Sequence, residues 1–102
     1  MNCAPDLQPT RAMLEEMTIV EIDGSHGFDE ALQQAREVAA QRMTEPMMLA
    51  FWDASRGYAS PADTCNLHGE PGWVTYAKSR GADLAVLEPE LRFVFLFANV
   101  EC

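Results

Sequence analysis

The stretch FDEALQQAREVAAQRMTEPMMLAFW, Phe28 to Trp52, decides the fold. In its first part Phe28, Ala31, Leu32, Ala35, Val38, Ala39 and Met43 recur every three to four residues, with Glu30, Gln33, Gln34, Glu37 and Gln41 between them. That period gathers apolar side chains onto one stripe of an α-helix. Asp29 and Glu30 fall in its first turn and Arg42 in its last, the charges a helix dipole favours. Pro46 ends the pattern, because it has no N–H to give the helix. The run Met47-Met48-Leu49-Ala50-Phe51-Trp52 that follows is too short for another helix and predicts a central strand covered on both faces.

Upstream, Met17 to Ile22 predicts a strand with Thr18, Val20 and Ile22 on one face and Met17, Ile19 and Glu21 on the other. Asp23 to Gly27 is a turn cluster. Residues 1–16, with Pro5 and Pro9, form a loosely ordered lead-in with one helical turn around Arg11 to Glu15. Downstream, Ala54 to Glu70 is a long irregular stretch, of a length more common in functional loops than in simple connections. A shorter helix starts at Pro71, carries Trp73, Tyr76 and Ala77 on one face, and stops at Gly81. Leu84–Leu87 and Leu91–Ala98 then flank the turn at Pro89 as a terminal hairpin.

This order predicts an α+β fold: a two-layer β-α-β-α-β-β sandwich, a four-stranded mixed sheet with two helices packed on one face. It forms a single domain over residues 17–102. In the last strand Phe93, Phe95 and Phe97 alternate with Val94 and Leu96, so both of its faces are apolar. With both helices on one side, either a second copy or residues 1–16 must cover the other.

Sixteen acidic residues against seven basic ones give a net charge of −9, with no cluster of Lys or Arg. Nucleic acid is therefore an unfavourable partner, since affinity for phosphate backbones needs clustered positive charge. Anionic membrane surfaces are disfavoured on the same ground, and no apolar run approaches the roughly 20 residues that span a bilayer. The N-terminus lacks the basic and apolar stretches of a signal peptide. Cys3, Cys65 and Cys102 are odd in number and far apart, which fits free thiols in a reducing, cytoplasmic setting.

Reactive side chains gather in residues 53–73, and Asp53, Arg56, Cys65 and His68 form the candidate ligand-binding set. Asp53 follows an apolar strand, the place where open α/β sheets hold ligands. It is equally suited to cap a turn, with Arg56 paired to a carboxylate. Cys65 and His68 have the short spacing of two metal ligands, but the second pair of a structural zinc site is missing, so no metal or cofactor is expected. As a thiolate and its base the two would be opposed by Asp63 and Glu70, which push a thiol pKa up. A packing cysteine is the commoner outcome. His68-Gly69-Glu70-Pro71 matches half of the zinc deaminase signature, but the later Pro-Cys-x-x-Cys is absent. No catalytic residue is assigned, and enzyme status is left open.

Phe51-Trp52-Asp53, Arg56-Gly57, Ser60-Pro61, Cys65, Gly69, Pro71-Gly72-Trp73, Tyr76-Ala77 and Arg80-Gly81, followed by a short hairpin, resemble a family of small uncharacterised proteins of anaerobic bacteria and archaea. The resemblance covers most of the chain from Met17 onward and implies no activity, ligand or site residue. Two functional readings follow from the residues. One is a self-associating interaction or binding module, a homodimer; the other is a ligand-binding or enzymatic domain with a polar site in the 53–73 loop.

Overall fold

The computed structural model describes residues 8–23, 27–61 and 70–100. After a 3-10 turn at Arg11–Leu14 come β1 (Thr18–Glu21), α1 (Phe28–Arg42), β2 (Pro46–Asp53), β3 (Tyr58–Ser60), α2 (Gly72–Ser79), β4 (Leu84–Leu87) and β5 (Phe93–Asn99). The sheet is five-stranded, in the order β1-β4-β5-β2-β3. β1 pairs parallel to β4, and every other neighbouring pair is antiparallel. β1, β4 and β2 therefore run one way, and β5 and β3 the other. The α+β class and the element order are as expected, with β3 as an additional short edge strand.

Side chains alternate across a strand, and here the alternation separates two cores. On one side Ala31, Ala35 and Ala39 of α1, all fully buried, lie against Val86, Phe93, Phe95 and Phe97. On the other, Trp73, Val74 and Ala77 of α2 pack with Trp52, Leu87, Val94 and Leu96. The expectation of two helices on one face is corrected: α1 and α2 cover opposite faces, giving three layers. The reason lies in β5, whose two apolar faces both need cover. Leu14 and Met17 are buried on the α2 side as well, so residues around the 3-10 turn share in covering it.

Small alanines on α1 let that helix approach the sheet closely, and the large rings of β5 fill the space between. On the α2 side the large groups come from both layers, Trp73 from the helix and Trp52 from the sheet. A bulge at Leu49 interrupts the β2–β5 register between Met48 and Ala50. Leu49 and Ala50 consequently both face the α2 side, which is what an extra residue in one strand does.

Helix lengths differ in a way that matters. The 15 residues of α1 span about 22 Å and the eight residues of α2 about 12 Å at 1.5 Å per residue. β2, also eight residues, extends about 26 Å. α2 therefore covers roughly half the length of its face, beginning near the carboxyl end of β2, where Trp73 meets Trp52. Among the described residues no helix is long and apolar enough to cross a membrane.

Candidate functional site

β2 delivers Asp53 to the carboxyl end of the sheet with 1% of its surface exposed. A carboxylate so placed needs local partners, and Ser55 and Arg56 supply them, by hydrogen bonds to Oδ1 and by charge alone to Oδ2. The Ser55 backbone N–H donates to Oδ1 at 3.0 Å and the Ser55 hydroxyl donates to the same oxygen. Oδ2 forms an ion pair with Arg56 Nε at 2.9 Å. The Arg56 and Gly57 N–H groups close the turn onto the carbonyls of Asp53 and Ala54. Gly57 has a φ of +60°, a conformation that favours glycine. The chain then returns as β3.

A second braced turn lies beside the first. Glu88, also buried, accepts a hydrogen bond from the Arg92 backbone N–H across the β4–β5 turn and lies 3.7 Å from Arg92 Nε. Leu91, at a φ of 62°, reaches the α2-side core. The Ala54 N–H donates to the Arg92 carbonyl at 2.8 Å, joining the two turns. Both arginines lie over rings, Arg56 over Phe28 at 5.2 Å and Arg92 over Phe93 at 5.4 Å from the centroids. Phe28 in turn contacts Phe51, Phe93 and Phe95, so this end of the α1 side is aromatic.

A third polar group lies beside α2. Glu70 precedes the helix and receives hydrogen bonds from the Thr75 hydroxyl at 2.6 Å and from Lys78 Nζ at 2.7 Å. Lys78 also lies 3.5 Å from Glu16, binding the lead-in to the helix. Burial pushes the Glu70 carboxyl up, but the bonds from Lys78 and Thr75 and the charge of Lys78 outweigh it and hold the group below its ordinary value. Burial likewise works against the Lys78 ammonium, and its bond and ion pair with Glu70 prevail, raising it. A lowered carboxylate stabilises the fold above its unfolded pKa of about 4.3, and that contribution is lost as pH falls through the lower folded value. Lys78 contributes below about 10.4 and loses its share as pH rises through its raised folded value. Lys78→Met is expected to cost about 1 kcal/mol at neutral pH. Urea unfolding should show the gap from wild type closing as the pH is lowered to 3; a gap that does not change would refute the pairing.

Of the residues singled out from the sequence, Asp53 and Arg56 are brought together, bonded to each other within one turn. Cys65 and His68 lie outside the described residues. Among the described residues no group of three or more His, Cys, Asp or Glu side chains is placed to hold a metal. Trp52 and Trp73 are core, stacked with centroids 6.4 Å apart and planes 9° apart. Tyr58 is exposed. Glu88 escaped the sequence reading, although a Glu just before Pro89 between two apolar strands was the available signal.

The opposite end of the α2 side offers a different surface. Beyond the end of α2, Met47 and Ala98 are partners across β2 and β5, and the Val100 N–H continues the ladder by donating to the Glu45 carbonyl. These positions share the face of Leu49. Met47 is 46% and Val100 42% exposed. Next to them Arg80, Gly81, Asp83, Ala98 and Asn99 line a cleft of about 370 Å3.

Comparison with known proteins adds the chain's kinship. Its structure is similar to the crystal structure of AF1514, a protein of Archeoglobus fulgidus, at a TM-score of 0.61 and 26% identity, over 85% of this chain and 95% of that one. No curated protein matches it. The model of a family described as a domain of unknown function, DUF5619, matches residues 15–97, which take in every strand and both helices short of the last residues of β5. The chain belongs to the DUF5619 family.

Proposed function

We propose that this protein is a cytoplasmic self-associating interaction module, and that its contact surface is the strip of Leu49, Met47 and Val100 beyond the end of α2. One observation carries the reading: α2 and the 3-10 turn cover this face but leave Met47 and Val100 exposed at its far end. Single exposed apolar residues are ordinary, but here two lie diagonally across β2 and β5 on one face, with half-buried Leu49 beyond Met47. Methionine suits such a surface, since its flexible thioether adapts to a partner. The cytoplasmic setting draws support from three widely spaced cysteines. Occurrence of the family among anaerobic bacteria and archaea belongs to the same proposal, and the Archeoglobus fulgidus relative supports its archaeal part.

Sedimentation velocity over a wide concentration range tests it. The wild-type protein should show a reversible monomer–dimer equilibrium. Met47→Glu should remain monomeric while its stability stays within about 0.5 kcal/mol of wild type, as for most exposed positions. A wild-type protein that is monomeric at every concentration would refute the proposal.

A further inference from the structure

We infer that two copies associate edge to edge, the amino-terminal half of β2 in one pairing antiparallel with the same half of the other, so that the two five-stranded sheets join into one. This rests on the self-association proposed above and supplies its geometry. β2 is eight residues long, and β3 pairs only with Phe51, Trp52 and Asp53. Among the described residues no strand lies against Pro46 to Ala50 on that side. The same stretch is open on both faces. On the α2 side Met47 is exposed. On the α1 side there is a cleft of about 380 Å3, lined by Arg36, Ala39, Pro46, Met48 and Phe97.

Backbone alternation fixes which groups that edge offers. The Val100 N–H donates to the Glu45 carbonyl, so Glu45 and Met47 turn their backbone groups toward β5, while Pro46 and Met48 turn theirs outward. The Ala54 N–H donates to the Arg92 carbonyl, so beyond the bulge at Leu49 the parity is reversed and Phe51 and Asp53 face β3. The open edge therefore presents the Met48 N–H and the carbonyls of Met48 and Pro46. A two-fold axis through Met47, normal to the sheet, lets the Met48 N–H of each copy donate to the Pro46 carbonyl of the other. Neither bond needs the N–H that Pro46 lacks. Met47 then stands opposite itself in the closely spaced, non-hydrogen-bonded kind of pair, where facing side chains touch.

Charge selects a second copy as the occupant. Edge strands are commonly guarded by charged side chains, yet Pro46 to Trp52 carry none. Two chains of −9 each can meet along this stretch without setting like charges against each other. With the axis normal to the sheet, both α2 helices lie on the same side of the joined sheet and over opposite ends of it. Neither helix comes between the copies, and Met47 and Leu49 of both form one apolar floor. Pro46 and the bulge at Leu49 confine the pairing to a short stretch, which keeps the dimer weak. The contact is isologous and closes on itself, so growth stops at two copies.

Amide hydrogen exchange of the wild-type protein, followed by NMR over a concentration series, reads the pairing directly. Where about nine-tenths of the protein is dimeric, the Met48 N–H should exchange about tenfold more slowly than in the monomer. Met47→Cys gives a second readout, because facing Cα atoms in such a pair lie about 4.5 Å apart, within reach of a disulfide. Mild oxidation with diamide should join this variant to itself through residue 47. The tryptic peptide of residues 43–56 contains no native cysteine, so the linked product is identified by its mass, and a thermal melt matching wild type confirms folding. A dimer whose Met48 N–H exchanges as fast as the monomer's overturns the edge pairing and retains the strip. Protection that is equal in monomer and dimer means that the chain covers its own edge, and it too overturns the pairing. A wild type that is monomeric at every concentration overturns both the pairing and the self-association beneath it.

Discussion

Trp73→Ala is expected to destabilise the protein by about 3–5 kcal/mol, the range for removing a large buried aromatic side chain. Trp73 is fully buried and stacked on Trp52. It is also the largest of the three α2 side chains, with Val74 and Ala77, that hold this short helix to the sheet. Close packing cannot refill such a volume without moving the helix, so the cavity term adds to the lost transfer energy. Domains of this size hold roughly 5–15 kcal/mol in total, so the variant should be left barely folded. Urea unfolding followed by circular dichroism measures it, and Trp73→Phe should recover more than half of the loss. A loss below about 1 kcal/mol would mean that α2 is held by something other than its tryptophan.

Asp53→Ala is the second, at about 2–3 kcal/mol, since hydrogen bonds to a buried charge contribute more than neutral ones. The substitution removes the acceptor for the Ser55 N–H and hydroxyl and the partner of Arg56 together. Arg56→Ala should cost about 1–3 kcal/mol as well, because it leaves the buried Oδ2 of Asp53 without its ion-pair partner, although the guanidinium itself is largely exposed. This pair of losses separates two roles for the same residue. A brace is costly to break from either side. Should Asp53→Ala unfold at wild-type urea concentrations, the carboxylate would be surplus to the turn and the polar-site reading would gain ground.

Much of this architecture could be read from residue patterns. The period of Phe28, Ala31, Ala35 and Ala39 marked α1 and its buried stripe, because a helix repeats its own geometry along the chain. Alternation marked β1 and its two faces, with Val20 and Ile22 on the α1 side and Met17 and Ile19 on the other. Two features were out of reach. β3 is three residues long, too short for any period to register, and it exists because Asp53 and Gly57 fold the chain back. The side of the sheet taken by each helix depends on how the chain crosses between strands, a property of connections and not of any residue's preference. The doubly apolar β5 did pose the question correctly, and α2 answers it for the upper half of the face.

At the polar end, the sequence pointed to Asp53 and Arg56 by residue type and position, and they do meet. Their chemistry is turned inward, onto Ser55 and the turn. Glu88 shows why residue type alone underdetermines a site: a charged residue between polar turn positions looks solvated, and only the β4–β5 pairing drives it into the interior.

The place of β5 has a consequence for how the chain reaches its fold. It is the middle strand of the sheet, yet it follows all the others in the chain. Until it is present, β1 with β4 and β2 with β3 are two separate pairs, and the alanine stripe of α1 has no phenylalanines to lie on. Assembly must wait for contacts between distant parts of the chain, which makes folding slow relative to a helical bundle of equal size. It also leaves a growing polypeptide with its apolar surfaces unclaimed until this strand arrives, the interval in which aggregation competes and chaperones act.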